Sequence, residues 1–280
     1  MVATFALRFV APESIQCFSN LKEAMSIEIT TQQEASLEQE TIWSPPSPPA
    51  DLIFDDGEPL ETNRHRIAMN VLIRSLKHGW TQRQDIFVGG NMFVYYSALQ
   101  ARNRDFRGSD FFVVLGVDNN PERQGWVLWE EGGRYPDVIV ELLSPSTAEV
   151  DKGIKKELYE QVFKTRDYFV FDPFAANSLT GWHLDLDRGY QDLVPDQRGW
   201  IWCQSLDLWL GTWHGTVEDD TTQWLRFYDP EENLILLPEE AERQRAEVAQ
   251  QQAISAQSKA ERLAARLREL GIDPDSLLSC

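Results

Sequence analysis

Apolar positions change their period several times along the chain, and each change marks an element. After FDDGEPLET, the residues Ile67, Val71, Leu72 and Leu76 fall on one helical face, which predicts a helix starting near Thr62. The pattern then shortens to strand length. DIFVGGNMFVYYS reads as a hairpin turning at Gly89-Gly90, SDFFVVLGV as a strand opening at Asp110, and GWVLWEE as a further short strand. PDVIVELL supplies a continuous apolar run from Val138 to Leu143 suited to a buried strand. A helix follows, with a capping box from Ser146 to Glu149 and an expected buried stripe of Ile154, Leu158 and Val162. DYFVFDP is a strand ending in a turn. One helix, several strands, a second helix and another strand give an α/β domain with a mixed sheet.

From Trp182 to Tyr228 short strands continue, rich in Trp at positions 182, 200, 202, 209, 213 and 224. Exposed aromatics of this kind can stack bases, but strands favour aromatics for their own packing, and that is the reading adopted. The tail differs in kind. Between Glu239 and Leu270, Ala246, Ala249, Ala253, Ala256, Ala260, Leu263, Leu267 and Leu270 alternate steps of three and four, an unbroken heptad seam that Gly271 ends. Each Ala layer buries little, so pairing through the seam should be weak except at the Leu end. A single solvated helix supported by Glu/Arg pairs is the competing reading. At the other end, residues 1–50 read as a disordered segment with a polar stretch, Gln32 to Glu40, and a Pro/Ser linker, WSPPSPPAD; Met25 is a candidate alternative start. The expected division is therefore 1–50, a domain over 51–236 with the Trp-rich strands as its extension, and a helix or coiled coil over 237–270.

Composition narrows the classes. The 280 residues are 42% hydrophobic, enough for a substantial core. No run approaches the roughly 20 apolar residues that span a bilayer, and the first residues lack the form of a signal peptide. Cys17, Cys203 and Cys280 are scattered, which suggests a reducing, cytoplasmic setting without a disulfide framework. The four His show no ligand spacing for zinc. A formal net charge of −19 argues against gripping nucleic acid over the whole surface. It leaves room for a local groove, and for acids that hold a hard metal ion.

One acid stands out. Glu141 sits inside the apolar run 138–143, where an unpaired carboxylate is costly. On a strand, Asp137, Ile139, Glu141 and Leu143 share one face and Val138, Val140 and Leu142 the other. Asp137 is on the same face as Glu141 but roughly 13 Å away along the strand, too far to share one ion. A partner must come from a neighbouring strand, and Asp110 is the best placed. In the helix that follows, Asp151, Lys155 and Tyr159 share a face at steps of four. That face either turns a Lys toward the acids or carries a solvated Asp–Lys pair, and spacing alone does not separate the two.

These motifs resemble a known family. PDVIVELLSPST, then DKGIKKELY, then DYFVFDP is similar to the Uma-two family of restriction-endonuclease-like proteins within the PD-(D/E)XK nuclease superfamily, as are the upstream DFRGSDFFVVLGV and DDGEPLETNRHRIAMNVL. The likeness is strongest from Asp51 to Pro173. It implies a restriction-endonuclease-like core, a mixed central sheet flanked by helices, with a divalent metal, Mg²⁺ or Mn²⁺, held by the positions matching Asp110 and Glu141. The superfamily's Lys two residues after the second acid is replaced by Leu143; the resemblance implies that Lys155 takes over its catalytic role from the helix, with Lys156 and Asp151 as accessory residues. Glu58 or Glu61 matches an accessory acid near the first helix. The implied function is metal-dependent hydrolysis of DNA by an endonuclease, with a possible homodimer through core and tail. The alternative is a catalytically silent nuclease fold that recruits partners through its tail.

Overall fold

In the computed structural model the chain divides into two units, residues 1–48 and 49–280. The described residues are 47, 49–54, 62–103, 108–271 and 273, all but the first of them in the second unit. Residues 1–46, Met25 among them, and Glu58 and Glu61 lie outside the described residues.

Helix α1 (Asn63–Gly79) begins where the sequence places it: the Thr62 side chain accepts from the His65 backbone N–H. Its Ile67, Val71, Leu72 and Leu76 are buried against a six-stranded mixed sheet. That sheet takes β1 (Ile86–Gly89), β4 (Phe111–Leu115), β6 (Val138–Leu142), β7 (Asp167–Phe171), β8 (Thr180–Asp185) and β9 (Gly189–Asp192), in the order β1-β4-β6-β7-β8-β9. Within it only β6 and β7 run parallel, so the segment between them must cross over, and it does so as the helix α3 over 148–163. Alternation along β6 divides the interior. Val138, Val140 and Leu142 join the core under α1, while Ile139 and Leu143 join a second core with Tyr159, Phe163 and Tyr168.

The expected hairpin at Gly89-Gly90 does not form. β1 pairs with β4, Val88 opposite Val113, whereas β2 (Met92–Tyr95) leaves to pair with β3 (Gly108–Ser109) and β5 (Trp126–Val127) in a small separate sheet; a short helix α2 (Ala98–Arg102) lies between β2 and β3. The physical reason lies at the turn. A Cβ on Gly90 would stand 2.5 Å from the Asp110 carbonyl oxygen and 2.7 Å from Ile73 Cδ1, so the chain passes under the start of β4 rather than folding back on β1. Asn91 then turns it at φ 49°. Gly90→Ala should therefore cost about 1–3 kcal/mol, measured as a lower urea midpoint, because the nearest atom is backbone and cannot rotate away. An unchanged midpoint would show that the passage is looser than this.

The Trp-rich segment adds β10 (Ile201–Cys203), β11 (Leu208–Val217) and β12 (Asp220–Tyr228), an antiparallel sheet packed on α1. The last two strands are long, not short, and turn through Glu218 and Asp219, both at positive φ. Its aromatics serve packing: Trp224 is fully buried, and Trp200 stacks on Tyr228 with ring centroids 3.7 Å apart.

Helix α4 (Pro238–Glu269) is clamped at its start. The Glu240 carboxylate accepts from the Leu237 N–H and from the buried Arg226, and Glu239 pairs with Arg74. Beyond that clamp no residue of α4 is buried, and Leu263 and Leu270 of the heptad seam are exposed. Gly271, at φ 76°, ends the helix. No helix among the described residues is long and apolar enough to cross a membrane.

Candidate active site

The site forms where β4, β6 and α3 meet. In the antiparallel register Phe111 faces Val140 and Phe112 faces Ile139, which sets Asp110 opposite Glu141. The two acids are cross-locked through backbone. The Asp110 N–H donates to Glu141 Oε2 at 3.3 Å, and the Leu142 N–H donates to Asp110 Oδ2 at 2.7 Å. Asp137 lies at the far end of β6. Its Oδ2 accepts from the Leu115 N–H at 2.8 Å, with Arg134 and Arg166 at 3.8 Å, so it ties down the end of β4 away from the acid pair.

Helix α3 completes the cluster with a face that the sequence pattern assigns differently. Ile154 and Val162 of the expected apolar stripe are 61% and 43% exposed, and Leu158 is only partly buried. The buried face carries Asp151, Tyr159 and Phe163, with Lys155 between them. Two π-helical turns, Asp151–Lys155 and Tyr159–Phe163, keep these buried positions on one line. An α-helix has 3.6 residues per turn and a π-turn about 4.4, so alternating them holds positions four apart in line instead of letting them drift round the axis. The start of the helix also differs. Ser146 and Glu149 form no capping box; Ser144 Oγ accepts from the N–H groups of Ser146 and Thr147.

The result is a buried charge network, not a solvated pair. Lys155 Nζ stands 2.9 Å from Asp151 Oδ1 and 3.2 Å from Glu141 Oε2. The Tyr159 hydroxyl donates to Glu141 Oε1 at 2.7 Å, and the Tyr168 hydroxyl donates to the Asp151 carbonyl at 2.8 Å. Burial, only partly offset by Lys155 and reinforced by Asp110, pushes the Glu141 carboxyl up to about 8. Burial likewise raises Asp110. Burial works against the charge on Lys155, but Glu141 and Asp151 outweigh it and raise its pKa above the ordinary lysine value. Burial and the Glu141 charge raise Tyr159 too, so it remains a donor.

Of the residues singled out from the sequence, Asp110, Glu141, Asp151 and Lys155 come together. Lys156 does not join them: its ammonium sits 4.1 Å from the Trp182 ring centroid. Tyr159 stands on the helix face with Asp151 and Lys155, but nothing in the sequence assigns it a carboxylate. His65 carries no sequence signal at all; its Nε2 lies 3.2 Å from the Leu143 carbonyl, joining the start of α1 to the end of β6.

Among the described residues, no three His, Cys, Asp or Glu side chains converge closely enough to cage an ion alone. A hard divalent cation nevertheless fits the donor set. Asp110, Glu141 and Asp151 face a single ammonium, Lys155, and when all four are ionised the cluster carries an excess of two negative charges. Mg²⁺ commonly takes one or two carboxylates and completes its shell with water and phosphate oxygens.

A search of the curated proteins returns no match for the chain. A family model, Uma2, described as "Putative restriction endonuclease", matches residues 37–218, which contain every member of the cluster. That match spans more than half of the chain, and the protein belongs to the Uma2 family of restriction-endonuclease-like proteins.

Proposed function

We propose that the protein is a metal-dependent endonuclease that hydrolyses DNA phosphodiester bonds, with Asp110 and Glu141 holding Mg²⁺ or Mn²⁺ and Lys155 acting on the reacting phosphate. The observation that carries this reading is Glu141: wholly buried, opposite Asp110, and 3.2 Å from a Lys. A strand interior that needed only stability would hold an apolar residue there. A divalent ion supplies Lewis-acid polarisation of the phosphate and a bound water of lowered pKa.

The chain's own residues divide the remaining work. Tyr159 fixes the Glu141 carboxylate, and the cross-strand N–H groups fix both acids, so the pair is preorganised before any substrate arrives. Asp151 holds Lys155 extended toward Glu141. From there Lys155 can orient the attacking water or offset the charge that develops on the phosphate. Residues 51–236 are read as the nuclease domain, with 237–270 as an appended helix.

Plasmid DNA incubated with the protein should be nicked or linearised in Mn²⁺ or Mg²⁺ and left intact in EDTA. Absence of cleavage across varied DNA substrates in both metals would overturn the reading. It would favour the second one, a silent nuclease fold that recruits partners, which the net charge of −19 and the exposed face of α4 support. In either case the exposed seam suits a second copy of the chain. Truncation before Glu239 should lower the mass seen by light scattering, and an unchanged mass would make α4 a lone helix.

A further inference from the structure

The parallel pair β6–β7 has one end to which both chains run, and the acid cluster is not the only feature there. Leu142 pairs with Phe171, and the Leu143 N–H donates to the Phe171 carbonyl at 2.7 Å. Three residues beyond Phe171, on the turn leaving β7, Phe174 is 57% exposed. The turn is held in shape. The Phe174 N–H donates to Asp172 Oδ1 at 2.8 Å, and the Asp172 N–H donates to Ser178 Oγ at 2.8 Å. The ring is backed rather than loose. The Arg64 guanidinium lies 4.6 Å from its centroid, and the His65 ring lies 5.8 Å away, tilted by 48°. Both backing groups are fixed in turn: Arg64 by a two-pronged pair with Asp220 at 2.9 and 3.0 Å, His65 by the Leu143 carbonyl. An aromatic ring of this exposure has little reason to be propped from behind by a guanidinium unless its outer surface is used.

We propose that Phe174, backed by Arg64 and His65, is a stacking platform for an unpaired base beside the phosphate held at the acid cluster. The proposal rests on the nuclease reading and deepens it. Leu142 and Leu143 directly follow Glu141, so a chain whose phosphate meets the acids has its neighbouring nucleotides at this edge. In open α/β sheets ligands gather outside the carboxyl ends of parallel strands. A base offers its face to Phe174 only when it is unpaired or splayed, because in a stacked duplex both faces are covered. The site therefore takes a single strand, a flap or a frayed end in preference to intact duplex.

The test compares two fluorescent 12-mers, oligo(dA) and the same backbone without bases, by anisotropy at low salt in Ca²⁺. Wild type should bind the base-bearing strand roughly tenfold more tightly, the scale of one or two stacked bases. Phe174→Ala should lose most of that preference without weakening the abasic strand, and Phe174→Trp should keep it. A preference that survives Phe174→Ala, or an equal loss on both strands, would overturn the platform. The nuclease reading is scored separately, by Mn²⁺-dependent cleavage. Cleavage with no Phe174-dependent preference leaves the nuclease and removes the platform. Phe174-dependent binding without cleavage keeps the stacking surface and removes the nuclease.

Discussion

Replacing Lys155 by Ala should slow single-turnover cleavage of DNA by roughly 10² or more, the scale of losing one preorganised transition-state group. The same change should tighten the binding of Mn²⁺. The ammonium stands 3.2 Å from Glu141 and 2.9 Å from Asp151, so it competes with a metal ion for the same negative charge. Removing it frees that charge. Tighter metal and slower cleavage are opposite signs from one substitution, which general unfolding would not produce. The fold is also weakened: stripping one partner from a buried ion pair typically costs about 3–5 kcal/mol. Proton uptake by Glu141 and saturating Mn²⁺ should recover part of this, so rates are to be compared in saturating metal. Equal rates for wild type and variant would remove Lys155 from the mechanism. Lys156→Ala, which loses only the contact with Trp182, should be the milder change.

Glu141→Gln should abolish the rise in melting temperature that Mn²⁺ gives the wild-type protein, since an ion that binds only the folded state stabilises it by mass action. It should also change how stability depends on pH in the absence of metal. The Glu141 carboxyl is raised from 4.5 to about 8 in the fold. A raised acid keeps its proton in the folded state while the unfolded chain has released it. Its favourable contribution is therefore complete below about pH 4.5 and is lost as pH climbs through about 8. Metal-free wild type should lose ground to Glu141→Gln between about pH 5 and 9, and Mn²⁺ should restore wild type alone. Calorimetry at several pH values checks both parts. A gap that does not vary with pH, or an equal Mn²⁺ response in the variant, would contradict the site as drawn.

Much of this arrangement can be read from the sequence, for local reasons. The run from Val138 to Leu143 is suited to a buried strand and forms one, and a strand's period of two settles which face Glu141 shares with Asp137 and why the two are far apart. An acid opening the neighbouring strand then makes Asp110 the natural partner across the ladder, and the register sets it there. Thr62 and Gly271 mark helix ends through backbone chemistry that depends on a few residues each. The features that are not legible depend on contacts distant in sequence or on a departure from regular pitch. The period of β1 and β2 identifies strands but not their partners, and the contact between Gly90 and the Asp110 carbonyl decides that β2 leaves. Apolar character assigns the wrong face of α3 to the core, because Ile154 and Val162 look buried while the face that is buried carries Asp151 and Lys155, and Tyr159 has no visible partner. His65 and Phe174 meet only because α1 and the end of β7 reach the same sheet edge.

The two wide turns of α3 make the helix behave as an ordinary α-helix carrying extra residues. Deleting one residue, Gly153 being the least encumbered because nothing stands within 4 Å of where its Cβ would be, would let the first wide turn close to α pitch. The missing residue would be taken up inside that turn, because a wide turn is an α-turn with about one residue more, so Tyr159 and Phe163 would keep their face. What changes is the step from Asp151 to Lys155, which falls from four residues to three and moves the ammonium off the line on which it now meets Asp151 and Glu141. The number of residues in a single turn of this helix therefore sets where its one inward ammonium stands.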